Sequence, residues 1–304
     1  MAIGWRGVFP AVTTQVHEDL TIDLRNTQRV VDDLIRDGVT GVIALGTVGE
    51  NNSLLHDEKL AVLSAIVEVV AGRVPVITGV SEYDTRRAAG YARAAEQAGA
   101  DGLMVLPPMV YVPKPHELAA HFRGVAANTA LPIMLYNNPP AYRTSIDNDV
   151  LESLVDVENI VAVKESAPDT RRFTDVLNVF GDRYVIFAGL DDVALEGLYL
   201  GARGWVSGLT NAFPRESVEL VAAFERGDHG KAMEIYRWFM PLLHLDAEHD
   251  LVQSIKLAEQ IMGRGSERVR LPRLPLEGAR RAEVIAMVET CAATRPTLKA
   301  ALAA

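Results

Sequence analysis

The sequence predicts a (β/α)8 TIM barrel with additional C-terminal helices, in a chain of 304 residues. A barrel of this kind needs about 250 residues, so the length leaves room for an extension. Eight short runs rich in β-branched residues alternate with longer stretches of helical period. The runs are apolar throughout, which is typical of parallel strands covered on both faces. A doubly wound open sheet is the alternative, but its GxGxxG fingerprint after the first strand is absent.

The predicted strands are short and follow one another at similar intervals. They are Gly7–Val12, Gly41–Leu45, Pro75–Thr78, Gly102–Leu106, Pro132–Tyr136, Ile160–Lys164, Tyr184–Ala188 and Gly204–Ser207. Amphipathic stretches such as Asp57–Ala71, Thr85–Ala98 and Pro115–Asn128 separate them. This alternation predicts a closed parallel sheet with the helices outside it.

The strand signal ends at Phe213, and three helical stretches follow, near Asp228–Met240, Asp250–Met262 and Gly278–Ala292. No linker rich in Gly, Ser or Pro precedes them, so we expect them to pack on the barrel rather than form a separate domain. The predicted organisation is a barrel over residues 1–225 that carries the functional site, and a helical extension over residues 226–304.

The composition argues against several classes of protein. A formal net charge of -10 without a dense basic run disfavours nucleic acid binding, which depends on neutralising phosphates. No apolar stretch approaches the roughly 20 residues of a membrane helix, and residues 1–9 lack the pattern of a signal peptide. Cys291 is the single cysteine, so no disulfide can form within the chain. These features favour a cytoplasmic protein without a membrane partner.

Lys164 is the first candidate for chemistry, because it ends the apolar run Ile160–Lys164. Functional side chains of such barrels lie at the carboxyl ends of the strands. Burial depresses the pKa of an amine and makes it nucleophilic near neutral pH. The alternative is a structural lysine paired with a carboxylate. The other five lysines lie in helical or loop stretches, so we expect Lys164 to be the one lysine of the core; they are Lys59, Lys114, Lys231, Lys256 and Lys299.

Two further candidates follow neighbouring parts of the barrel. Tyr136 ends the strand before that of Lys164, so the two side chains are expected side by side, where a tyrosine can carry protons to and from an imine carbon. The alternative is a tyrosine that only packs at the rim.

After the second strand, Gly46–Asn51 places Thr47 between two glycines, and such a loop of exposed N–H groups binds anions. Beside a reactive lysine, the natural anion is the carboxylate of a 2-oxo acid; an ordinary tight turn is the alternative.

Weaker candidates lie after the seventh and eighth strands. Gly189, Ser207 and Gly208 are expected to shape the pocket, and Asp191 and Asp192 to cap the next helix.

Other polar features predict no chemistry. The segment from His244 to His249 has no metal-ligand spacing, and HExxH is absent, so no metal site is predicted. Arg171 and Arg172 are expected at a solvated helix start.

With these residues assembled, the sequence resembles the dihydrodipicolinate synthase / N-acetylneuraminate lyase family over almost the whole chain. The Gly46–Asn51 loop (GTVGEN) is similar to that family's GTTGE or GSTGE loop, Tyr136-Asn137 to its YN strand end, and Val163–Ser166 to the segment with its Schiff-base lysine. The resemblance implies a barrel with C-terminal helices, a homotetramer, a 2-oxo acid substrate, and neither metal nor organic cofactor.

The resemblance also implies roles for individual residues. Lys164 would form the imine and Tyr136 would shuttle protons. Thr47 and the Val48 amide would hold the carboxylate, and the main-chain carbonyl of Val206 would face the site.

Departures from the family pattern indicate which branch the chain resembles. Val48 stands where dihydrodipicolinate synthase has a relay threonine, and Val110 where a neighbouring subunit lends a relay tyrosine, with Tyr111 one position away. Arg143, the candidate for binding a second substrate, is displaced by two extra residues. These departures predict weak dihydrodipicolinate synthase activity.

The resemblance leaves several reactions open. The stretch after Tyr136 is similar to dehydratases and deaminases that give 2,5-dioxopentanoate, from a 2-keto-3-deoxy-pentonate or 1-pyrroline-4-hydroxy-2-carboxylate. A pyruvate-dependent aldolase, including a dihydrodipicolinate synthase-like condensation, is the first alternative. A barrel that binds a 2-oxo acid without catalysis is the second, although a binder needs no nucleophile. No set of carboxylates and histidines supports a metal-dependent aldolase.

Overall fold

A computed structural model describes residues 3–298 as a closed parallel barrel with helices around it. Its strands are β1 (Gly7–Pro10), β2 (Val42–Ala44), β3 (Val76–Val80), β4 (Gly102–Val105), β5 (Ile133–Asn137), β6 (Ile160–Glu165), β7 (Val185–Ala188) and β8 (Gly204–Ser207). All pairs are parallel, in the order β1-β8-β7-β6-β5-β4-β3-β2. A parallel bridge from Ala11 to Ile43 links β1 to β2 and completes the circle. The predicted (β/α)8 barrel is confirmed.

Helices connect the strands and continue beyond them. They are α1 (Leu24–Arg36), α2 (His56–Val70), α3 (Thr85–Gln97), α4 (Pro115–Ala126), α5 (Pro139–Tyr142), α6 (Asn148–Glu152), α7 (Arg171–Phe180), α8 (Ala194–Tyr199), α9 (Pro214–Glu225), α10 (His229–Leu243), α11 (Leu251–Ile261) and α12 (Gly278–Ala293). Side-chain caps fix several helix starts: Asp23 accepts from the Asn26 N–H and Asp84 from the Arg87 N–H, which satisfies N–H groups that have no partner within the helix. No helix among residues 3–298 is long and apolar enough to cross a bilayer.

The three helices predicted after the barrel are present as α10, α11 and α12. Phe239 of α10 and Val284 of α12 belong to the same continuous hydrophobic core as the strand residues Phe9 and Phe187. The Trp238 indole N–H donates to the Cys291 carbonyl at 3.1 Å, which joins α10 to α12. The extension is described to residue 298; Lys299 lies outside the described residues, and the boundary between residues 225 and 226 stays a prediction.

One short segment between α10 and α11 matters for the site. Residues His244–Ala247 form a single 3-10 turn that lies against the loop after β7 and approaches Gly208 after β8. Both loops are at the carboxyl end of the barrel, where the strands present their last side chains. The extension therefore reaches the face of the barrel on which the chemistry was expected.

Candidate active site

Lys164 lies near the end of β6 and is only 6% exposed. Its strand pairs with β5 so that Tyr136 is its direct partner, which confirms that the two are neighbours. The Lys164 Nζ lies 3.9 Å from the centroid of the Tyr136 ring. Burial lowers the pKa of Lys164, and the negative charge of Asp246 opposes that shift. A larger fraction of the side chain is therefore the uncharged, nucleophilic amine at neutral pH.

Gly189, directly after β7, packs against the side chain of Lys164. A Cβ at this position would lie 2.7 Å from Lys164 Cγ, 2.8 Å from Lys164 Cε and 2.1 Å from Ser166 Oγ. Any larger residue would push the lysine stem aside. The glycine was predicted to shape the pocket, and this close approach is the physical reason.

A series of hydroxyl groups crosses the cavity beside the lysine. Thr47 Oγ1 and Tyr142 Oη are 2.6 Å apart, and the rings of Tyr142 and Tyr136 meet edge to face with centroids 5.6 Å apart. Asn138 Nδ2 donates to Tyr136 Oη at 3.0 Å. Burial raises the pKa of Tyr136 to about 12, and burial also raises the pKa of Tyr142. Both phenols therefore keep their protons at neutral pH and can pass them along the series.

The loop that carries Thr47 is held from behind by buried polar contacts. Thr14 Oγ1 donates to the Gly49 carbonyl at 2.7 Å, and Asn51 Nδ2 donates to the Leu45 carbonyl at 2.8 Å. Glu50 adopts a left-handed conformation (φ 56°) and its carboxylate pairs with Lys256 Nζ at 2.8 Å. These contacts fix the backbone amides of the loop, and preorganised amides are what an anion site requires.

Asp246, from the turn between α10 and α11, lines the same cavity as Lys164. Its Oδ2 accepts from the Asp191 backbone N–H at 3.3 Å. Burial raises the pKa of Asp246 to about 6, and the positive charge of Lys164 opposes the shift. Burial, followed by the nearby Asp246 charge, also raises the pKa of Asp191. An acidic pair with raised pKa values in a cleft marks a candidate functional position.

The structure brings together most of the predicted site residues. Lys164, Tyr136, Thr47, Val48 and Gly189 line one cavity, together with Gly208.

Three predicted site residues do not line this cavity: Arg143, Val206 and Ser207. Arg143 ends α5 in a left-handed conformation (φ 55°) and is exposed, because Tyr142 takes the inward position. Val206 and Ser207 are buried within β8, where Ser207 Oγ accepts from the Thr210 N–H at 3.1 Å. The roles predicted for Arg143 and Val206 therefore have no support from their positions.

The expectation that Lys164 is the one core lysine is wrong. Lys59 is 5% exposed and Lys256 is fully buried. Each has a carboxylate partner within the barrel: Lys59 pairs with Glu82 at 2.7 Å and Lys256 with Glu50 at 2.8 Å. A buried ammonium is tolerated when a carboxylate accompanies it.

Two polar expectations also need correction. Arg171 is solvated as predicted, but Arg172 is only 17% exposed and pairs with the buried Glu165 at 3.4 Å. Asp191 does not cap a helix; its Oδ1 accepts from the Trp205 indole N–H at 2.9 Å and its Oδ2 from the Leu209 N–H at 2.8 Å. Both side chains make polar contacts with buried groups at the barrel mouth instead of facing water.

The relay positions singled out in the sequence lie away from the cavity of this chain. Val110 is 65% exposed and Tyr111 is 57% exposed, both in the loop before α4. No cluster of three His, Cys, Asp or Glu side chains that could hold a metal occurs among residues 3–298.

Sequence reasoning missed three polar residues of the cavity: Asn138, Tyr142 and Asp246. Asn138 caps α5 by accepting from the Ala141 N–H at 3.1 Å, and the Asn-Pro-Pro sequence is a helix-start signal that could have placed Tyr142 one turn later. Asp246 had no such signal, because it lies far along the chain from every strand.

Comparisons with known proteins agree on one family. The sequence model of the Dihydrodipicolinate synthetase family matches residues 4–291. A 4-hydroxy-tetrahydrodipicolinate synthase of Acidiphilium cryptum is 36% identical over 282 residues, which cover 92% of this chain and 96% of that protein. The enzyme of the same name from Methanothrix thermoacetophila is 33% identical over 281 residues, covering 92% and 95%.

Solved structures show the same similarity. YagE, a prophage protein of the dihydrodipicolinic acid synthase family from E. coli K12 in complex with pyruvate, superposes with a TM-score of 0.90 at 29% identity, covering 95% of this chain and 99% of that one. Dihydrodipicolinate synthase DapA-2 from Bacillus anthracis gives a TM-score of 0.91 at 29% identity, covering 98% and 100%. The similarity therefore extends over the barrel and the C-terminal helices.

Proposed function

The chain belongs to the dihydrodipicolinate synthetase family, whose sequence model spans residues 4–291, and on this premise we propose that it is a lyase that forms a Schiff base between Lys164 and a small 2-oxo acid. The observation that carries this proposal is the environment of Lys164. The residue is 6% exposed, the pKa of its amine is lowered by burial, and its Nζ lies 3.9 Å from the Tyr136 ring centroid in a cavity at the barrel mouth. A protein that only binds a 2-oxo acid has no need of such an amine.

The reaction would start with attack of the uncharged Lys164 amine on the C2 carbonyl of the substrate. The carbonyl oxygen takes up two protons and leaves as water, and a protonated imine remains, which acts as an electron sink. Thr47 and the Val48 amide would hold the substrate carboxylate. Tyr136 would supply and recover protons at C2, with Tyr142 and Thr47 continuing the hydroxyl series. Loss of a C3 proton then gives an enamine.

Aldol chemistry is the first candidate for the step that follows. The relatives from Acidiphilium cryptum and Methanothrix thermoacetophila are named 4-hydroxy-tetrahydrodipicolinate synthases, and YagE was solved in complex with pyruvate. Tyr142 also supplies a hydroxyl beside Thr47 from the same chain, which weakens the argument that Val48 and Val110 leave the site without a relay.

Dehydration or deamination to 2,5-dioxopentanoate is the second candidate. It is favoured by Asp246, a carboxyl group in the cavity whose pKa burial raises to about 6. A carboxyl group whose pKa is raised toward neutral pH is protonated in a larger fraction of molecules, and that form can act as a general acid toward a leaving hydroxyl or amine. The expected substrates are a 2-keto-3-deoxy-pentonate or 1-pyrroline-4-hydroxy-2-carboxylate.

The experiment that tests the proposal combines imine trapping with a substrate panel. Incubation with pyruvate and borohydride should add mass to the peptide that contains Lys164, and Lys164→Ala should abolish the adduct. Lys114→Ala, which removes a lysine outside the cavity, serves as the control. Label on another lysine, or no label with any 2-oxo acid, would refute the assignment.

The same panel separates the two reactions. Pyruvate together with an aldehyde would identify an aldolase, and 2,5-dioxopentanoate would identify a dehydratase or deaminase. A cytoplasmic homotetramer is the assembly and location we propose; light scattering coupled to size exclusion tests the oligomeric state.

A further inference from the structure

We propose that Asp246 exchanges a proton with the oxygen at C4 of the substrate. This inference rests on the proposed function, because it takes Lys164 as the residue that holds C2. It adds a reacting group from the C-terminal extension to a site otherwise built by the barrel.

The first argument is the position of Asp246. The residue lies on the turn His244–Ala247, and its carboxylate bridges two loops of the barrel mouth. Oδ2 accepts from the Asp191 N–H after β7, at 3.3 Å. Oδ1 lies beside Gly208 after β8, only 2.7 Å from where a Cβ on that glycine would be. A side chain at Gly208 would displace the carboxylate, so the glycine makes this approach possible.

The second argument is the direction in which a bound substrate would extend. Thr47 follows β2 and its hydroxyl contacts Tyr142, which follows β5. Lys164 is on β6, across the barrel from β2, and Asp246 lies over the loops after β7 and β8, on one of the two arcs that join them. Thr47, Lys164 and Asp246 line the same cavity, so a substrate with its carboxylate at Thr47 and C2 at Lys164 can bring C4 to Asp246.

The third argument is the charge environment, which lets Asp246 both hold and release a proton. Lys164, Asp191 and Asp192 are the charged groups that face it, and Asp192 is itself paired with His244 at 2.9 Å. Asp191 uses both carboxylate oxygens to accept bonds from Trp205 and Leu209. The Asp191 carboxylate therefore holds the structure of the barrel mouth, whereas Asp246 lines the cavity that a substrate would occupy.

The chemistry balances in both reactions open to this site. In dehydration, the enamine electron pair forms the C3–C4 double bond as the C4–O bond breaks, the protonated Asp246 gives its proton to the departing oxygen, and water leaves as the iminium returns. In aldol cleavage, the Asp246 carboxylate takes the C4 hydroxyl proton, an aldehyde leaves, and the C3–C4 bonding pair forms the enamine. Neither route needs an oxidant or a reductant.

The test uses one probe that lacks C4 and one that carries a C4 hydroxyl. Pyruvate in deuterated water reports imine and enamine formation through exchange of its C3 hydrogens, followed by NMR. A 2-keto-3-deoxy-pentonate reports the C4 step through turnover. Asp246→Asn should still form the borohydride adduct on Lys164 and exchange the C3 hydrogens, because neither step involves the C4 oxygen. It should lower kcat for the pentonate by roughly 10²–10⁴-fold, the usual contribution of a general acid or base, and this loss should far exceed any change in C3 exchange that follows from removing the Asp246 charge beside Lys164.

Asp182→Asn is the control, because it removes a carboxylate that is 99% exposed and lies outside the cavity. It should leave both readouts unchanged. Asp246→Ser repeats the test with a smaller neutral side chain, and the Lys164 adduct verifies that either variant is folded.

Two outcomes would overturn the proposal while leaving Lys164 as the nucleophile. If Asp246→Asn loses C3 exchange and pentonate turnover in equal measure, Asp246 acts through Lys164 instead of on C4. If wild-type protein exchanges pyruvate but turns over no C4-hydroxylated probe, Asp246 has no C4 oxygen to act on and the assigned role is wrong. Absence of any adduct on wild-type Lys164 would refute the proposed function and this inference with it.

Discussion

Lys256 offers the sharpest test of how the extension supports the site. Its ammonium is fully buried and lies 2.8 Å from the carboxylate of Glu50, which is itself 1% exposed. Lys256→Met keeps the volume and length of the side chain but leaves Glu50 as a buried carboxylate without its cation. Removal of one partner of a buried pair costs about 3–5 kcal/mol, because the remaining charge is uncompensated.

The remaining partners of Glu50 indicate a loss of stability at the lower end of that range. Glu50 Oε2 still accepts from the Arg270 N–H at 2.8 Å, and the Arg273 guanidinium lies 4.0 Å away. We therefore expect Lys256→Met to lower the free energy of unfolding by about 3 kcal/mol. That is a large share of the roughly 5–15 kcal/mol that holds a typical domain folded. Lys256 also donates to the Thr14 carbonyl at 2.9 Å, so the loop with Thr47 should loosen and the KM for 2-oxo acids should rise.

The assay is denaturant unfolding followed by tryptophan fluorescence and circular dichroism. Lys231→Met is the control, since Lys231 pairs at 2.8 Å with Glu234, which is 55% exposed, and such pairs contribute about 0–1 kcal/mol. Adding Glu50→Gln to Lys256→Met should recover part of the loss by removing the stranded charge. If Lys256→Met is no more destabilising than Lys231→Met, the buried pair does not stabilise the loop and the reasoning is refuted.

Two further predictions concern the cavity itself. Thr47→Val should weaken binding of 2-oxo acids by about 1–3 kcal/mol, the cost of leaving a polar partner unpaired, and unchanged KM and kcat values would mean that the loop is only a turn. Tyr142→Phe should lower kcat by roughly 10²–10⁴-fold while the borohydride adduct on Lys164 still forms, because it removes one hydroxyl of the proton series and leaves the amine in place. Tyr199→Phe, a change on the surface, is the control, and equal activity of the two variants would contradict a role for the hydroxyl.

The strands could be predicted from the sequence because they are apolar on both faces. The predicted third strand, Pro75–Thr78, nevertheless stops two residues before the end of β3 at Val80. Gly79 suggests a turn in the sequence, but in the barrel it lets two strands approach: a Cβ there would lie 2.1 Å from the Leu45 carbonyl oxygen. The need for a glycine at this position arises from a contact between two strands, and the sequence around residue 79 does not reveal that contact.

The site also contains residues that the sequence could predict and residues that it could not. Lys164, Tyr136 and Thr47 could be found because each ends a strand or follows one directly, and the ends of parallel strands meet at one face. Lys256 was expected to be exposed because α11 has a helical period, yet this helix is buried on nearly every side, including Ser254 and Glu259. Only the packing of the extension against the barrel turns these polar positions inward.

The position of Asp246 and Lys256 after the barrel has a consequence for the order in which the protein is made. A chain emerging from the ribosome exposes β1 to β8 first, and with them Lys164, Tyr136 and Thr47. At that stage the loop that carries Thr47 has no cation behind Glu50, and no carboxyl group from the extension has reached the cavity. Synthesis must proceed through α11 before both are present. Lys164 thus shares its cavity with Asp246 only in chains that have been translated through α11.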